Sequence, residues 1–262
     1  MDLSLLDRLR KENPVVLTVA NLVTPMDVAT GANLIGASPI MSAAKEEASD
    51  MVKLANAVTI NLGTVSPSQF AEMRAVMDAA NASQTPAVFD PIACNASSYR
   101  MDCAQELLGA YDWTVIRGNA GEIAALAGAD WESRGIDAGQ GDGDIVEITK
   151  KCAKKYHVIA VATGEIDVIS DGENVAQIPF GSPLFTVHVG TGDMLSTIIA
   201  AFTGITNDFF TAAKTACLTF ALAGQKAASH NASPRQWDQR FFDNLYIANA
   251  QTVNAWLKTV DA

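Results

Sequence analysis

Short β-branched or apolar runs alternate with longer stretches of helical period along most of this chain. The runs are Val15–Ala20, Ala57–Asn61, Ala87–Asp90, Thr114–Arg117 and Val158–Thr163. The helical stretches are Val23–Ile35, Glu46–Ala55, Pro67–Ala82, Arg100–Gly109, Ala120–Ala127 and Ile145–Tyr156. Parallel strands need a crossover of a dozen or more residues between them, and a helix supplies it. The alternation therefore excludes an all-β or all-α chain. It predicts an α/β fold with a mostly parallel central sheet and helices on both faces. Past Thr163 the pattern changes: Asp167–Ser170 and Asn174–Pro179 flank the turn-forming Asp171-Gly172-Glu173, which predicts an antiparallel hairpin at one edge. From Met194 onward only helices are expected, at Met194–Thr203, Phe209–Ser229 and Pro234–Leu257.

At 262 residues, with 49% hydrophobic and 18% charged residues, the chain can bury a full core and is read as a single domain over residues 1–262. Lys and Arg number 18 against 29 Asp and Glu, a formal charge of −11, so no general field attracts nucleic acid. Any phosphate must be gripped locally. The cysteines, Cys94, Cys103, Cys152 and Cys217, show no CxxC or zinc spacing and read as reduced cytosolic thiols. Cys103, Cys152 and Cys217 fit helix packing, whereas Cys94 follows a strand and is a candidate for lining a site. Met1 to Asn13 carries no secretion signal, and the apolar region Met194 to Ala223 is interrupted by Asn207-Asp208 and Lys214, so two buried helices and no membrane span are expected. A cytoplasmic protein follows from these readings. Asp130 to Asp144, with four glycines and many acids, reads as a surface connection whose spacing fails the EF-hand register. His157 and His230 read as surface residues; His188 lies near the glycine loop described next.

Gly190-Thr191-Gly192-Asp193 stands immediately before the apolar run from Met194 to Phe202. The unsatisfied N–H groups and dipole at a helix start favour a phosphate, and glycines let it approach the backbone. Asp193 could accept a proton from a hydroxyl attacking that phosphate. An ordinary loop and an Asp-started helix would use the same letters. Further polar groups follow strand ends. Asp90, before Pro91, could hold a hydrated Mg²⁺ or end the strand in a turn. Arg117 suits a triphosphate, while Asn119 and Glu122 form either an N-cap and capping box or part of a metal's water shell. Thr163-Gly164 could seat a nucleotide phosphate. There is no GxxxxGK[ST], GxGxxG after the first strand, GxSxG or HExxH.

In these segments, and in Asn21-Leu22-Val23-Thr24, Gly36-Ala37-Ser38-Pro39-Ile40-Met41-Ser42, Asn61-Leu62-Gly63-Thr64 and the run from Ile116 to Gly128, the chain resembles the hydroxyethylthiazole kinases, thiamine-salvage members of the ribokinase-like superfamily. The resemblance runs from about Val15 to His230. It implies a ribokinase-like three-layer fold and ATP-dependent phosphorylation, with Mg²⁺, of the primary hydroxyl of hydroxyethylthiazole. It also implies a homotrimer with active sites between subunits. Asn21, Met41, Gly63 and Cys94 would line the thiazole site, with Gly190 near its hydroxyl. Arg117, Asn119, Thr163 and Gly164 would bind ATP, and Asp90 and Glu122 would organise the metal. The backbone from Gly190 through Thr191 to Gly192 would cradle the phosphoryl group, with Asp193 as base.

The chain departs from the family pattern in places. The family usually has Cys where Asp193 stands, whereas the wider superfamily commonly has Asp. The glycine-rich stretch after Asp-Pro is replaced by Ile92-Ala93-Cys94-Asn95-Ala96-Ser97, the Thr-Asn-Tyr-Val motif reads Ala20-Asn21-Leu22-Val23, and Val189 replaces a common Thr. Two other functions fit a similar loop: an ATP- or ADP-dependent dehydratase of hydrated nicotinamide nucleotides, and a non-catalytic thiazole- or nucleotide-binding protein.

Overall fold

The computed structural model describes residues 3–129, 144–229 and 232–260. Its strands are β1 (Val15–Val19), β2 (Ser38–Met41), β3 (Ala57–Asn61), β4 (Ala87–Asp90), β5 (Val115–Asn119), β6 (Ile159–Thr163), β7 (Asp167–Ser170) and β8 (Val175–Ile178). They form one sheet in the order β2-β1-β3-β4-β5-β6-β7-β8. Pairing is parallel from β2 to β6 and antiparallel for β6–β7 and β7–β8. The expected edge hairpin is present, its turn held by Asp171 Oδ1, which accepts from the backbone N–H groups of Glu173 and Asn174.

Helices cover both faces. They are α1 (Ser4–Glu12), α2 (Pro25–Ile35), α3 (Ala48–Leu54), α4 (Pro67–Ser83), α5 (Ser98–Ala110), α6 (Ala120–Ala127), α7 (Ile145–Tyr156), α8 (Thr191–Thr203), α9 (Phe209–Ala227), α10 (Pro234–Ile247) and α11 (Ala250–Val260). Successive strand residues point to opposite faces. Accordingly Val16, Val88, Val115 and Val161 join a core with α1, α2, α8, α9 and α10. Their neighbours Leu17, Phe89, Ile116 and Ala160 join a second core with α3 to α7. This is the expected three-layer arrangement.

Three elements differ from expectation. The strand β2 escapes the β-branched pattern because Ser38-Pro39 opens it; as the edge strand, it tolerates a proline that lacks an N–H. The helix α1 buries Leu5, Leu6 and Leu9 on one face amid charged residues, so its period is masked by composition. The last expected helix is two, because Asn249 starts α11 by accepting the N–H of Thr252 on its side chain. Most of the glycine-rich connection, residues 130–143, and His230 lie outside the described residues; Asp144 caps α7 by accepting from Val146 and Glu147.

The helix α8 positions the site. Nearly all its residues are buried, as suits a helix apolar on every side. It packs across β1, β3 and β4 and against α2 and α9. No helix among the described residues is long and apolar enough to cross a membrane.

Candidate active site

Parallel strands place their carboxyl ends on one edge of the sheet, where open α/β folds bind ligands. Asn61 ends β3, Asp90 ends β4, Arg117 lies in β5 and Thr163 ends β6, while Asn21 follows β1 and Met41 ends β2. The first turn of α8 enters among them. Gly190 precedes α8 at φ 97°, and a Cβ there would lie 2.5 Å from Thr24 Cγ2. Glycine is therefore required twice over at this position, by conformation and by space.

Asp193, 7% exposed, is the centre of a polar cluster. Its Oδ2 accepts from Asn21 Nδ2 at 2.7 Å and from Thr24 Oγ1 at 2.6 Å, and its Oδ1 accepts from Asn61 Nδ2 at 3.1 Å. Asn21 is fixed in turn, its Oδ1 accepting from the N–H groups of Val23 and Thr24 at the start of α2. Gly63 donates its N–H to Asn61 Oδ1, and a Cβ at residue 63 would press on Asn21 at 2.8 Å. These bonds fix the carboxylate's orientation. The sequence pattern gives Thr24 and Asn61 no role, although Asn61 ends a strand as Asp90 does.

Beside this cluster lies the cationic part of the site. Arg117 Nη2 donates to Thr163 Oγ1 at 2.6 Å, and Nη1 is 3.6 Å from Asp90 Oδ2. The guanidinium rests against the helix start so closely that a Cβ at Gly192 would fall 2.4 Å from Nη1. Asp90 is fully buried and accepts from Ser196 Oγ at 2.7 Å, a residue one turn past Asp193 on α8. Loss of water raises the Asp90 carboxyl to about 7; Arg117 opposes the rise, and Asp193 and Glu122 add to it. Asp90 Oδ1 and Arg117 Nε are buried and lack a hydrogen-bond partner among the described residues.

Glu122 and Asn119 form the capping box of α6. Glu122 Oε2 accepts the N–H of Asn119 and Oε1 accepts that of Ala93, each at 2.7 Å. The carboxylate thus ties the loop after β4 to the end of β5, where α6 begins. Gly164, next to Thr163, donates to Asp167 Oδ1 at 3.1 Å. His188 lies with Nδ1 2.8 Å from Asp238 and Nε2 3.6 Å from Asp27, which places the segment before Gly190 beside α10 and α2.

A cavity of about 460 Å³ opens beside Asn21. Its lining includes Thr18, Asn21, Met41 and Ser42, and on the far segment Thr64, Gln69 and Glu72. Gly63 lies behind Asn21. Cys94 is not on this wall: it is fully buried in the core beneath α6, its Sγ 3.9 Å from Glu122 O, and burial raises the thiol to about 12. Cys103, Cys152 and Cys217 are buried, and His157 is exposed, as the sequence predicts.

The sequence model of the hydroxyethylthiazole kinase family matches residues 6–251. The chain belongs to that family. It is 50% identical to the hydroxyethylthiazole kinase of Limosilactobacillus fermentum over 248 residues, 95% of this chain and 97% of that one. Among solved structures it is similar to the hydroxyethylthiazole kinase protein of Pyrococcus horikoshii OT3, with TM-score 0.88, 30% identity and 96% and 95% of the two chains covered. A ribokinase-like superfamily protein of Enterococcus faecalis shares the fold, with TM-score 0.65 at 14% identity, covering 94% of each chain. Membership makes this chain a kinase, and the ribokinase-like architecture expected from its motifs is the one observed.

Proposed function

We propose that this family member transfers the γ-phosphoryl group of ATP to the primary hydroxyl of hydroxyethylthiazole, as a single-domain cytoplasmic enzyme. The observation that carries the reading is the placement of one oriented carboxylate, Asp193, in the first turn of α8 between the Asn21 cavity and the Arg117 guanidinium. Asp193 accepts the hydroxyl proton as the new P–O bond forms. The bond from the γ-phosphorus to the bridging oxygen breaks and ADP leaves. Charge developing on the phosphoryl oxygens meets the N–H groups from Gly190 to Gly192 and the Arg117 cation, both set in place before reaction. Asn119, Thr163 and Gly164 complete the nucleotide side in this reading, while Asn21, Met41 and Gly63 shape the alcohol side.

The residues fit Mg²⁺. Asp90 Oδ1 is a buried carboxylate oxygen without a partner among the described residues, and Glu122, although both its oxygens take a backbone N–H, keeps acceptor capacity for a metal-bound water. When bound, Mg²⁺ would neutralise phosphate charge. Leu22, Val23 and Met26 are exposed large apolar residues near the cavity, which suits a contact with another subunit there, as in the homotrimer that the resemblance implies. The test is ATP consumption with a panel of alcohols: thiazole phosphate as product supports the reading, and turnover only of a sugar or pyrimidine alcohol overturns the substrate assignment. ADP formation with hydrated nicotinamide nucleotide, and no phosphorylated alcohol, would favour a dehydratase.

A further inference from the structure

The acceptor cavity contains a carboxyl group that phosphoryl transfer leaves without a task. Glu72 lies on α4 and is 4% exposed, and its Oε1 has no hydrogen-bond partner among the described residues. Gln69, one turn earlier on the same helix face, also leaves its Oε1 without a partner while its Nε2 reaches Thr64 Oγ1 at 3.4 Å. Neither oxygen is engaged by another group among the described residues, and of the two only the carboxyl oxygen can, when protonated, act as a donor to a group in the cavity. Several hydroxyls around them are already committed. Ser42 donates to Glu47 at 2.6 Å, and Ser66 and Ser68 pair with each other at 3.1 Å.

A neutral azole carries a ring nitrogen that only accepts a hydrogen bond, so a site that reads it must supply a donor. We propose that Glu72 is a specificity-determining residue: its protonated carboxyl donates a hydrogen bond to the azole ring nitrogen while the hydroxyethyl arm extends toward Asp193. This rests on the assignment of the cavity to the thiazole alcohol. Asn21 makes that reach reasonable, since it lines the same cavity and also touches Asp193.

Electrostatics support the donor state. Loss of water, and secondly the charge of Glu47, raise the Glu72 carboxyl to about 7. The other charged groups on packed elements are Lys45 and Glu46 in the turn before α3, and Asp50 and Lys53 on α3, which pair with each other. On α4 itself, Arg74 pairs with Glu106 and Asp78 accepts from the Tyr111 hydroxyl. None supplies Glu72 with a cation.

The test is steady-state kinetics of the full enzyme with hydroxyethylthiazole and with 2-(3-methylthiophen-2-yl)ethanol, in which a C–H replaces the ring nitrogen. The wild type should favour the thiazole by about tenfold in kcat/KM, the scale of one hydrogen bond. Glu72→Ala should erase that preference, with the loss expressed in the thiazole KM. Glu72→Gln, whose amide still donates, should keep the preference. The wild-type thiazole KM should climb between pH 6 and 8 as the donor is lost, and that of Glu72→Gln should stay flat. An alanine variant that discriminates as well as the wild type overturns this proposal alone. A wild type that phosphorylates no thiazole overturns the functional reading beneath it as well.

Discussion

Asp193 accepts three hydrogen bonds from side chains on two separate segments, Asn21 and Thr24 between β1 and α2 and Asn61 at the end of β3, so its orientation is one that no single segment sets. Replacing it by Asn puts an amide NH₂ opposite either the Asn61 donor or the Asn21 and Thr24 donors and removes the proposed proton acceptor. Turnover of Asp193→Asn should fall at least tenfold, while ATP affinity, read by calorimetry, stays within about threefold. Unchanged turnover would remove Asp193 from the role of base. Gly192 tests the cationic half. An added methyl would occupy the space of the Arg117 guanidinium, which is held by Thr163 and Asp90. Gly192→Ala should therefore raise the KM for ATP about tenfold with little change in thermal stability, since the displaced group is the end of a long side chain and not backbone. Nothing in the one-letter string announces that contact. Asp193, Arg117 and Asp90 were legible because polar residues at strand and helix ends follow fold logic. Thr24, Asn61, Ser196 and Glu72 were not, because their partners are distant in sequence and depend on how α2, α4 and α8 pack.

At the scale of elements, Glu122 shows how capping and site construction coincide. The sequence allowed either a capping box or a metal-organising acid at Asn119 and Glu122, and the structure contains the box. The second bond, to Ala93, could not be read, because Ala93 lies on the loop after β4 and takes φ 56°, a conformation that suits glycine better. Where the resemblance would place glycines, this loop holds one residue, Ala93, in the left-handed region. Gln at 122 can offer an oxygen to only one of the two N–H groups. Glu122→Gln should cost about 2 kcal/mol, lowering the melting temperature by several degrees, and should slow turnover through the displaced loops. A melting curve superimposed on the wild type would show that the two bonds carry no stability. Strands β1, β3, β4 and β6 were legible for the opposite reason: apart from the polar residues that end β3 and β4, each is a β-branched or apolar run buried along most of its length, and β5 opens on such a pair, Val115-Ile116, before its polar end. The edge strand β2 meets neither condition.

For the whole molecule, burying acids along one sheet edge has a thermodynamic consequence apart from catalysis. Loss of water raises the Glu72 carboxyl to about 7, and that of Asp167, behind Gly164, to about 6. Both return to ordinary carboxylate values in the unfolded chain. Between about pH 4 and 7 these two groups therefore bind more protons in the folded protein than in the unfolded chain, and the stability they contribute falls as pH rises through that window. The stabilising contribution is complete below the unfolded values and gone above the folded ones. This is the reverse of a protein whose surface carboxylates are held by cations. Denaturant midpoints from pH 5 to 8 should decline for the wild type. Glu72→Gln and Asp167→Asn should each flatten the decline and should be more stable than the wild type at pH 8, with effects that add because the sites share no partner. The Asp167 variant keeps an oxygen for the Gly164 N–H, so its gain should survive without loss of the turn beside Thr163. Wild-type midpoints that rise from pH 5 to 7 would mean that these acids are paired or hydrated. Glu72 would then have no reason to hold a proton for the azole.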